Sequence, residues 1–329
     1  MPPVRLRVDE ASAGLRADAF VSREMPGLSR ARVRQKIQMG EALLNGGRFA
    51  TSTRLREGDE ILVPVRSPSP AAPPRGISSA PPAPPPRALP ILYEDGHLLA
   101  VDKPAGVATH PMGRTQEGTV IQFARQRHAE EIRERLGRGE VDWFPRPVNR
   151  LDVFTSGVVL VALSREAQVS MQALLAERRV RKEYVALVEG VVEQESGTVA
   201  LPLGFDPASS IRLKMAPLAS GRPSLTRFSV LRRFPRHSLL LAVPETGRQH
   251  QIRAHLAAIG HPVVGDLLYK DEALFLRYQA NGGVLDDSLP PRHSLHAIRI
   301  EFPHPLTDVI TSIVSPLPPD FEAMVAAVE

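Results

Sequence analysis

One helix near the start of the chain is predicted by the spacing of its apolar side chains. In residues 28–40, LSRARVRQKIQMG, Val33 and Ile37 lie four positions apart and face the same side of a helix, while the basic side chains face outward. Ser29 is suited to cap the first turn, and Gly40 to supply the left-handed residue at which the helix ends. We expect this helix to pack its apolar stripe on a small core.

A hairpin and then a linker are predicted after this helix. Asn45-Gly46 is a typical two-residue hairpin turn, and residues 58–63, GDEILV, have the composition of a closing strand. Residues 67–90 are rich in proline, serine and alanine and almost free of large apolar side chains. Because proline removes backbone donors and favours an extended chain, we expect a semi-extended linker there. The predicted parts are a small α/β domain at 1–66, the linker at 67–90 and a large domain at 91–329.

The large domain shows short apolar runs separated by turns. We predict strands at residues 91–93, 98–102, 158–163, 184–188, 224–231 and 239–243, and helices at residues 120–136 and 249–259. Strands outnumber helices and several are close neighbours along the chain, which does not fit a regular βαβ alternation. We therefore predict an α+β fold with a mixed, mainly antiparallel sheet flanked by helices.

The charge of the chain is weak support for a polyanionic partner. The formal net charge is +5 and the pI is about 9.9. Basic side chains are concentrated in two stretches, Arg30, Arg32, Arg34 and Lys36 in the predicted helix and Arg178, Arg179, Arg181 and Lys182 further on. Aromatic residues make up 5% of the chain, which argues against binding single strands mainly by stacking.

Composition also excludes some chemistry. The chain has no cysteine, so disulfides, Cys-ligated zinc, iron–sulfur clusters and thiol nucleophiles are ruled out. It shows no pattern of a secretory signal and no run of about 18 uncharged apolar residues. We therefore expect a cytoplasmic protein without a membrane span.

Residues 146–164, RPVNRLDVFTSGVVLVALS, place a carboxylate at the edge of a predicted buried strand. Asp152 follows Arg150 and precedes the turn Thr155-Ser156-Gly157, which leads into the strand. Rigid strand ends commonly carry functional side chains. Aspartate also caps turns without any further role, and this segment alone does not separate the two interpretations.

Two further segments carry candidate site residues. Tyr184 enters a predicted strand, where a tyrosine is ordinarily part of the core. Residues 245–266 crowd polar side chains into the turn before a helix; these are Arg248, Gln249, His250, Gln251 and Arg253. His250, His255 and His261 do not have the spacing of zinc ligands, so we expect no metal site.

Taken in this order, the segments resemble the motifs of the RluA-type family of pseudouridine synthases. The family pattern is a His-Arg-Leu-Asp…Thr-Ser-Gly block, a Lys-x-Tyr block and a Thr-Gly-Arg-x-His-Gln-x-Arg-x-His block that ends in Gly-Asp. In this chain the blocks stand at residues 149–157, 182–184 and 246–266, and residues 294–305, SLHAIRIEFPHP, also match. The resemblance spans about residues 89–305.

This resemblance implies an enzyme that isomerises uridine to pseudouridine within RNA, with neither a metal nor an organic cofactor. Asp152 would be the catalytic carboxylate, and the sequence leaves open whether it acts as a nucleophile or as a base. Arg253 would pair with Asp152 and keep it charged. Tyr184 would stack on the target base and assist a late proton transfer.

The resemblance also implies a set of substrate-binding residues. Arg150 would fill the space that the extruded base leaves, and Leu295 would pack under the uracil ring. Arg248 and His250 would contribute to the same binding surface. The two basic stretches would hold the RNA backbone.

The helix and hairpin of the first domain resemble the S4 RNA-binding domain, a frequent companion of this family. That likeness implies structured RNA as the partner, bound by shape and phosphate charge through Arg30, Arg34 and Lys36. By association, ribosomal RNA is favoured over transfer RNA. We expect the protein to act as a monomer.

One position departs from the family pattern, since Asn149 stands where the family has histidine. Asparagine can donate and accept hydrogen bonds but cannot titrate, so we expect activity to survive with some effect on rate or substrate preference. Two other classes stay open. A non-catalytic RNA-binding protein could have the same fold, and a hydrolase could use His250 or His255 with Asp152, although the chain has no Gly-x-Ser-x-Gly elbow.

Overall fold

The computed structural model of the protein describes residues 4–25, 33–34, 36–37, 41–47, 49–63, 88–111, 117–137, 145–280 and 292–329. These residues form two compact units, one within Met1–Arg75 and one within Gly76–Glu329. No helix in these ranges is long and apolar enough to cross a lipid bilayer.

The smaller unit is built on a short antiparallel sheet. Its described elements are β1 (Val4–Arg7), a 3-10 turn (Glu10–Ser12), α1 (Ala17–Glu24), β2 (Leu43–Leu44) and β3 (Glu60–Val63). The strands pair in the order β1-β3-β2. Val33 and Ile37 are 1% and 3% exposed and share a core with Phe20 and Ile61, which confirms that they face inward.

The predicted two-residue hairpin turn is present in this unit. Asn45 and Gly46 have φ values of 50° and 80°, and Leu44 and Gly47 exchange two backbone hydrogen bonds of 2.9 Å. Positive φ at both central positions is what a type I′ turn requires, and asparagine followed by glycine adopts it at little cost. The predicted cap at Ser29, the helix end at Gly40, Arg30 and most of the linker lie outside the described residues.

The larger unit contains the remaining strands and helices of the described residues. The strands are β4 (Ile91–Glu94), β5 (Leu98–Lys103), β6 (Arg146–Pro147), β7 (Ser156–Ala162), β8 (Arg181–Glu189), β9 (Ser196–Val199), β10 (Leu203–Phe205), β11 (Met215–Pro217), β12 (Thr226–Arg233), β13 (His237–Pro244), β14 (Leu295–Pro303) and β15 (Ile310–Val314). The helices are α2 (Val120–Arg127), α3 (Ala129–Gly137), α4 (Arg165–Ala176), α5 (Gln251–Ala258), α6 (Leu267–Lys270), α7 (Glu272–Ala280) and α8 (Pro319–Ala326).

Ten of the described strands form one mixed sheet. Its order is β4-β5-β7-β14-β8-β13-β12-β9, with β15 beside β14 and β6 beside β7. The β7–β14 pairing is parallel and the other pairings in this sheet are antiparallel. Strands β10 and β11 form a separate hairpin. The mixed, mainly antiparallel sheet predicted from the sequence is therefore confirmed.

Alternate residues of β5 and β7 enter two separate cores. One core contains Leu99, Val101, Val159 and Val161, and the other contains Leu98, Ala100, Val158 and Leu160. Residues of α2 belong to the first core and residues of α4 to the second. Both side-chain rows of these strands are thus buried, which accounts for their continuous apolar runs. The strands form a rigid base for the loop that carries Asp152.

Two helices differ from the sequence prediction. The helix predicted at residues 120–136 is divided at His128, so the apolar start of α2 and the charged α3 are separate elements. The helix predicted at residues 249–259 starts at Gln251, because His250 has a left-handed backbone with φ 53°. Gly260, with φ 88°, follows its end as expected.

Candidate active site

The loop that carries Asp152 is anchored by a buried lysine. The Nζ atom of Lys103 donates to the carbonyl oxygens of Pro104, Val107 and Val153 at 2.9, 2.8 and 3.0 Å. Burial lowers the pKa of Lys103 to about 7. Three acceptors nevertheless match the three N–H groups of an ammonium, so the loop geometry favours the charged form. Lys103 therefore ties the residue next to Asp152 to the end of β5.

The far side of this loop is held against β14. A Cβ atom added at Gly157, whose φ is 112°, would lie 2.2 Å from the carbonyl oxygen of Ala297, so only glycine fits this close approach. Thr155 Oγ1 lies 2.8 Å from His293 Nε2. The Thr-Ser-Gly turn is thereby fixed to the strand that contributes Leu295.

Arg253, on the first turn of α5, joins two carboxylates. Its Nη1 atom donates to Asp152 Oδ2 at 2.8 Å, and its Nε and Nη2 atoms donate to the two oxygens of Asp266 at 2.5 and 2.8 Å. The side chains of Arg253 and Asp266 are 8% and 1% exposed, whereas that of Asp152 is 28% exposed. The bidentate pair with Asp266 orients the guanidinium of Arg253. Its remaining nitrogen, Nη1, therefore points to Asp152, the more exposed of the two carboxylates.

The electrostatics of this group keep Asp152 ionised. Burial by itself would raise the pKa of the Asp152 carboxyl, but the charge of Arg253, with smaller contributions from His250 and His293, lowers it to about 2. Burial opposes the charge on Arg253, and the two carboxylates outweigh it, so the pKa of Arg253 is raised. Asp152 is consequently a carboxylate at neutral pH, ready to act as a nucleophile or a base.

His250 lies beside the same carboxylate. Its Nε2 atom is 4.0 Å from Asp152 Oδ2, and its Nδ1 atom is 3.1 Å from the hydroxyl of Tyr269. Burial and the charge of Arg253 lower the pKa of His250 to about 4. The imidazole is therefore neutral at the side of the ion pair.

Two predicted substrate contacts, Tyr184 and Leu295, are buried in the same core cluster. Tyr184 on β8 and Leu295 at the start of β14 are 8% and 4% exposed and belong to one core cluster with Leu151. Burial, with the nearby charge of Asp152, raises the pKa of Tyr184, so its phenol stays protonated. The structure thus brings together Asp152, Tyr184, Arg253 and His250, with Leu295 in the same core as Tyr184.

Other predicted RNA contacts are exposed or half-buried. Arg150 is exposed and lies two positions before Asp152 along the chain. Burial and then the charge of Arg150 lower the pKa of His110. Arg248 is half-buried and donates to the carbonyl oxygen of Pro223. Its pKa is lowered by burial and then by the charges of Arg222 and Arg178, so these arginines form a basic cluster.

Two of the predicted RNA contacts of the smaller unit, Arg34 and Lys36, form ion pairs within that unit. Arg34 Nε donates to Asp18 at 2.7 Å, and Lys36 Nζ donates to Glu41 at 3.0 Å. The side chain of Arg34 is 49% exposed and that of Lys36 is 18% exposed. Arg34 therefore retains an outward surface, and Lys36 is largely covered. Their role in RNA binding stays a prediction.

The side chain of Asn149 is hydrogen-bonded to the backbone of strand β7. Its Nδ2 atom donates to the carbonyl oxygen of Val158 at 3.1 Å, and its Oδ1 atom accepts from the N–H of Leu160 at 2.7 Å. The side-chain amide thus pairs with β7 as a backbone amide would. The absence of the family histidine removes no titrating group from the Asp152 carboxylate.

The contacts of His255 and Ser156 do not support a hydrolase. His255 is buried, with Nδ1 2.9 Å from Thr226 Oγ1 and Nε2 2.9 Å from the carbonyl oxygen of Leu201. Ser156 is also buried and pairs with His296. Within the part of the chain that the structure describes, no group of three or more His, Asp or Glu side chains is placed to hold a metal ion.

Sequence reasoning missed several residues that surround Asp152 and Arg253 or hold the loop between Asp152 and β7. Lys103, Asp266, Tyr269 and His293 were not identified as site residues. The Gly-Asp that ends the third motif was the available signal for Asp266. A lysine at the end of an apolar strand was a signal for Lys103, because an unpaired charge is costly to bury.

The fold and site match a known family of RNA-modifying isomerases. The family model described as RNA pseudouridylate synthase matches residues 97–258. The chain is 33% identical over 323 residues to Ribosomal large subunit pseudouridine synthase D of Xanthomonas campestris pv. campestris, which covers 97% of this chain and 91% of the relative. These similarities show that the chain belongs to the RNA pseudouridylate synthase family and is of the RluA type.

A second relative and a solved structure agree with this placement. The chain is 34% identical over 317 residues to Ribosomal large subunit pseudouridine synthase C of Vibrio cholerae serotype O1, covering 94% of this chain and 92% of the relative. The solved structure of Human RNA Pseudouridylate Synthase Domain Containing 1 superposes with a TM-score of 0.54 at 27% identity, covering 73% of this chain and 94% of that chain. The mixed sheet with flanking helices is thus the fold of a pseudouridine synthase.

Proposed function

We propose that this protein converts specific uridines to pseudouridine in large-subunit ribosomal RNA, with Asp152 as the catalytic carboxylate. The observation that carries the proposal is the 2.8 Å contact between Asp152 and the buried Arg253, which holds a reachable carboxylate ionised beside an aromatic ring. Relatives that match nearly the whole chain are named for the ribosomal large subunit. Those names support ribosomal RNA over transfer RNA.

Each residue of the site has a part in this reaction. Tyr184 and Leu295 offer the flat apolar surface on which an extruded uracil packs. Asp152 then either attacks C1′ of the ribose or removes the proton from C2′, and both routes break the N-glycosidic bond. The uracil turns and its C5 atom bonds to C1′, which breaks the ester bond to Asp152 in the first route and returns the proton to C2′ in the second. The proton of C5 is then released, and N1 takes up a proton. Arg253 keeps Asp152 charged and oriented throughout.

The remaining basic residues would hold the folded RNA. Arg150 is exposed two residues before Asp152 along the chain, and it would occupy the space that the uracil leaves in the RNA. The cluster of Arg178, Arg222 and Arg248 offers positive charge for phosphates. The smaller unit, as an S4-like domain, would add a shape-selective contact through Arg34 and Lys36. We further propose that the enzyme acts as a cytoplasmic monomer without a cofactor.

The test follows the proton of C5. Wild-type protein and Asp152→Asn are incubated with RNA that carries tritium at uracil C5, using unmodified large-subunit ribosomal RNA and transfer RNA in parallel. We expect stoichiometric release from ribosomal RNA by the wild type and none by the variant. Asp308→Asn is a matched control, because Asp308 is 84% exposed in the turn between β14 and β15, and it should retain full activity.

Each outcome of this test is informative. Release from transfer RNA alone would reject the ribosomal substrate while keeping the reaction. Tight RNA binding with no release from either RNA would favour the non-catalytic RNA-binding protein. Release by Asp152→Asn at the wild-type rate would reject Asp152 as the catalytic carboxylate.

A further inference from the structure

The imidazole of His250 lies between a phenol and the catalytic carboxylate. The Nδ1 atom of His250 is 3.1 Å from Tyr269 Oη, and its Nε2 atom is 4.0 Å from Asp152 Oδ2. The two rings are nearly perpendicular, with an interplanar angle of 82° and centroids 5.9 Å apart. Tyr269 Oη also accepts a hydrogen bond of 3.1 Å from the backbone N–H of Met215.

The donors and acceptors in this series of hydrogen bonds indicate which ring nitrogen of His250 carries the proton. The N–H of Met215 can only donate, so the oxygen of Tyr269 accepts from it, and the phenol uses both its oxygen and its proton when that proton is donated to Nδ1. A nitrogen that accepts carries no proton. This arrangement therefore favours the neutral imidazole with its proton on Nε2.

The opposite edge of the ring favours the same tautomer. Asp152 is ionised, and an ionised carboxylate only accepts hydrogen bonds. An Nε2–H that faces it is attracted, whereas an Nε2 lone pair would be repelled. Two independent neighbours of His250 thus favour one proton position.

Tyr269 also supports the arginine that pairs with Asp152. The guanidinium carbon of Arg253 lies 5.1 Å from the centroid of the Tyr269 ring, within the range of a cation–π contact. Tyr269 packs in a small core with Met215 and Ala254, so its ring is fixed by the β10–β11 hairpin and by α5. One side chain therefore contacts both groups that stand next to the catalytic carboxylate.

We propose that Tyr269 is a positioning residue that holds His250 as the neutral Nε2–H tautomer, so that this N–H donates to an oxygen of the uridine bound at Asp152. The tautomer is a property of the free protein, whereas the donation to uridine rests on the proposed function. The hydroxyl of Tyr269 determines which nitrogen of His250 carries the proton, and the ring of Tyr269 packs against the guanidinium of Arg253. Removing the hydroxyl alone separates these two contributions.

The tautomer can be observed without any substrate. Full-length protein labelled with nitrogen-15 at histidine is examined by nuclear magnetic resonance at pH 7, and the His250 signals are assigned by their loss in His250→Gln. We expect one protonated nitrogen, Nε2, in the wild type and a mixture of tautomers in Tyr269→Phe. A proton on Nδ1, or on both nitrogens, in the wild type would overturn the proposal. This result does not depend on whether the protein modifies uridine.

Activity variants test the donated N–H. A glutamine side chain can place its amide N–H near the position of Nε2, whereas asparagine reaches only the position of Nδ1. We expect His250→Gln to keep kcat within about fivefold and His250→Asn to lose about 100-fold. Asparagine tolerates the left-handed backbone, here φ 53°, so His250→Asn should unfold no earlier than the wild type. Equal losses in both variants would contradict the proposal.

The hydroxyl of Tyr269 is tested by the smallest possible change. Tyr269→Phe should lower kcat about tenfold, because the loss of one hydrogen bond raises the activation free energy by an amount that corresponds to this factor. The KM for RNA should stay unchanged. Tyr93→Phe is the matched control, since Tyr93 lies on the edge strand β4 and its hydroxyl donates to Asp95, and it should retain wild-type activity. A rise in KM with unchanged kcat in Tyr269→Phe would show a role in binding instead, and would overturn the assignment.

Discussion

Neutralising Asp266 tests how much the buried ion pair contributes to the larger unit. Asp266→Asn keeps the shape of the side chain, but it removes the charge that faces the Nε and Nη2 atoms of Arg253. Arg253 is then buried with Asp152 as its remaining carboxylate partner among the contacts described. The change therefore acts on an existing buried charge and creates no cavity.

The size of the effect follows from the geometry. Two charges about 4 Å apart interact by about 4 kcal/mol at an effective dielectric constant of 20, and an amide oxygen recovers about 1 kcal/mol through a neutral hydrogen bond. We expect the free energy of unfolding to fall by about 3 kcal/mol, in line with other buried pairs that lose one partner. The transition of the larger unit should shift down by about 6–12 °C.

Differential scanning calorimetry can resolve this shift from the transition of the smaller unit. The internal comparison is Asp320→Asn, which breaks a bidentate pair with Arg292 in which Asp320 is 45% exposed. Water replaces that carboxylate more readily, so we expect a loss of about 1 kcal/mol. An Asp266→Asn variant that unfolds at the wild-type temperature, or earlier loss in Asp320→Asn, would refute the argument from burial.

Three further predictions follow from the described contacts. Asn149→His loses one of the two hydrogen bonds to β7, so we expect the unfolding free energy to fall by about 1 kcal/mol and the single-turnover rate to stay within about threefold; a rate increase above tenfold would contradict this. Lys103→Met leaves the carbonyls of Pro104 and Val107 without the donor described for them, while that of Val153 keeps the N–H of Gly106, and urea unfolding should show a loss of about 3 kcal/mol. The pKa of Asp152 is about 2 in the fold and 3.8 as its ordinary value, so its carboxylate stabilises the protein by about 2 kcal/mol above pH 4, and this contribution is lost as the pH falls through 2. Asp152→Asn should therefore show a weaker acid dependence of urea unfolding than the wild type, and parallel profiles would argue against that pKa.

Local features of the fold were within reach of the sequence. The type I′ turn at Asn45-Gly46 depends on the backbone preferences of two adjacent residues. The strands β5 and β7 follow from short apolar runs bounded by turns, and the inward positions Val33 and Ile37 follow from helical spacing. Such patterns survive because they are set by neighbours a few residues apart. Motif order similarly sufficed for the family and for Asp152 as a candidate.

Other elements could not be read from local periodicity. Local patterns predicted neither β15 nor α8, and they predicted α2 and α3 as one helix across His128. The left-handed backbone at His250 shortens the next helix at its start. In each case tertiary packing outweighs local preference, which is weak for short elements.

The chemistry of the site was decided by the tertiary structure. Asp152 and Arg253 are 101 positions apart, and their 2.8 Å contact exists because β7, β14 and β8 lie side by side and α5 follows β13. The second carboxylate, Asp266, fixes the guanidinium that lowers the pKa of Asp152. The sequence determined which residue types were available for catalysis. Only folding could determine their charge and proton positions, because these depend on burial and on partners distant along the chain.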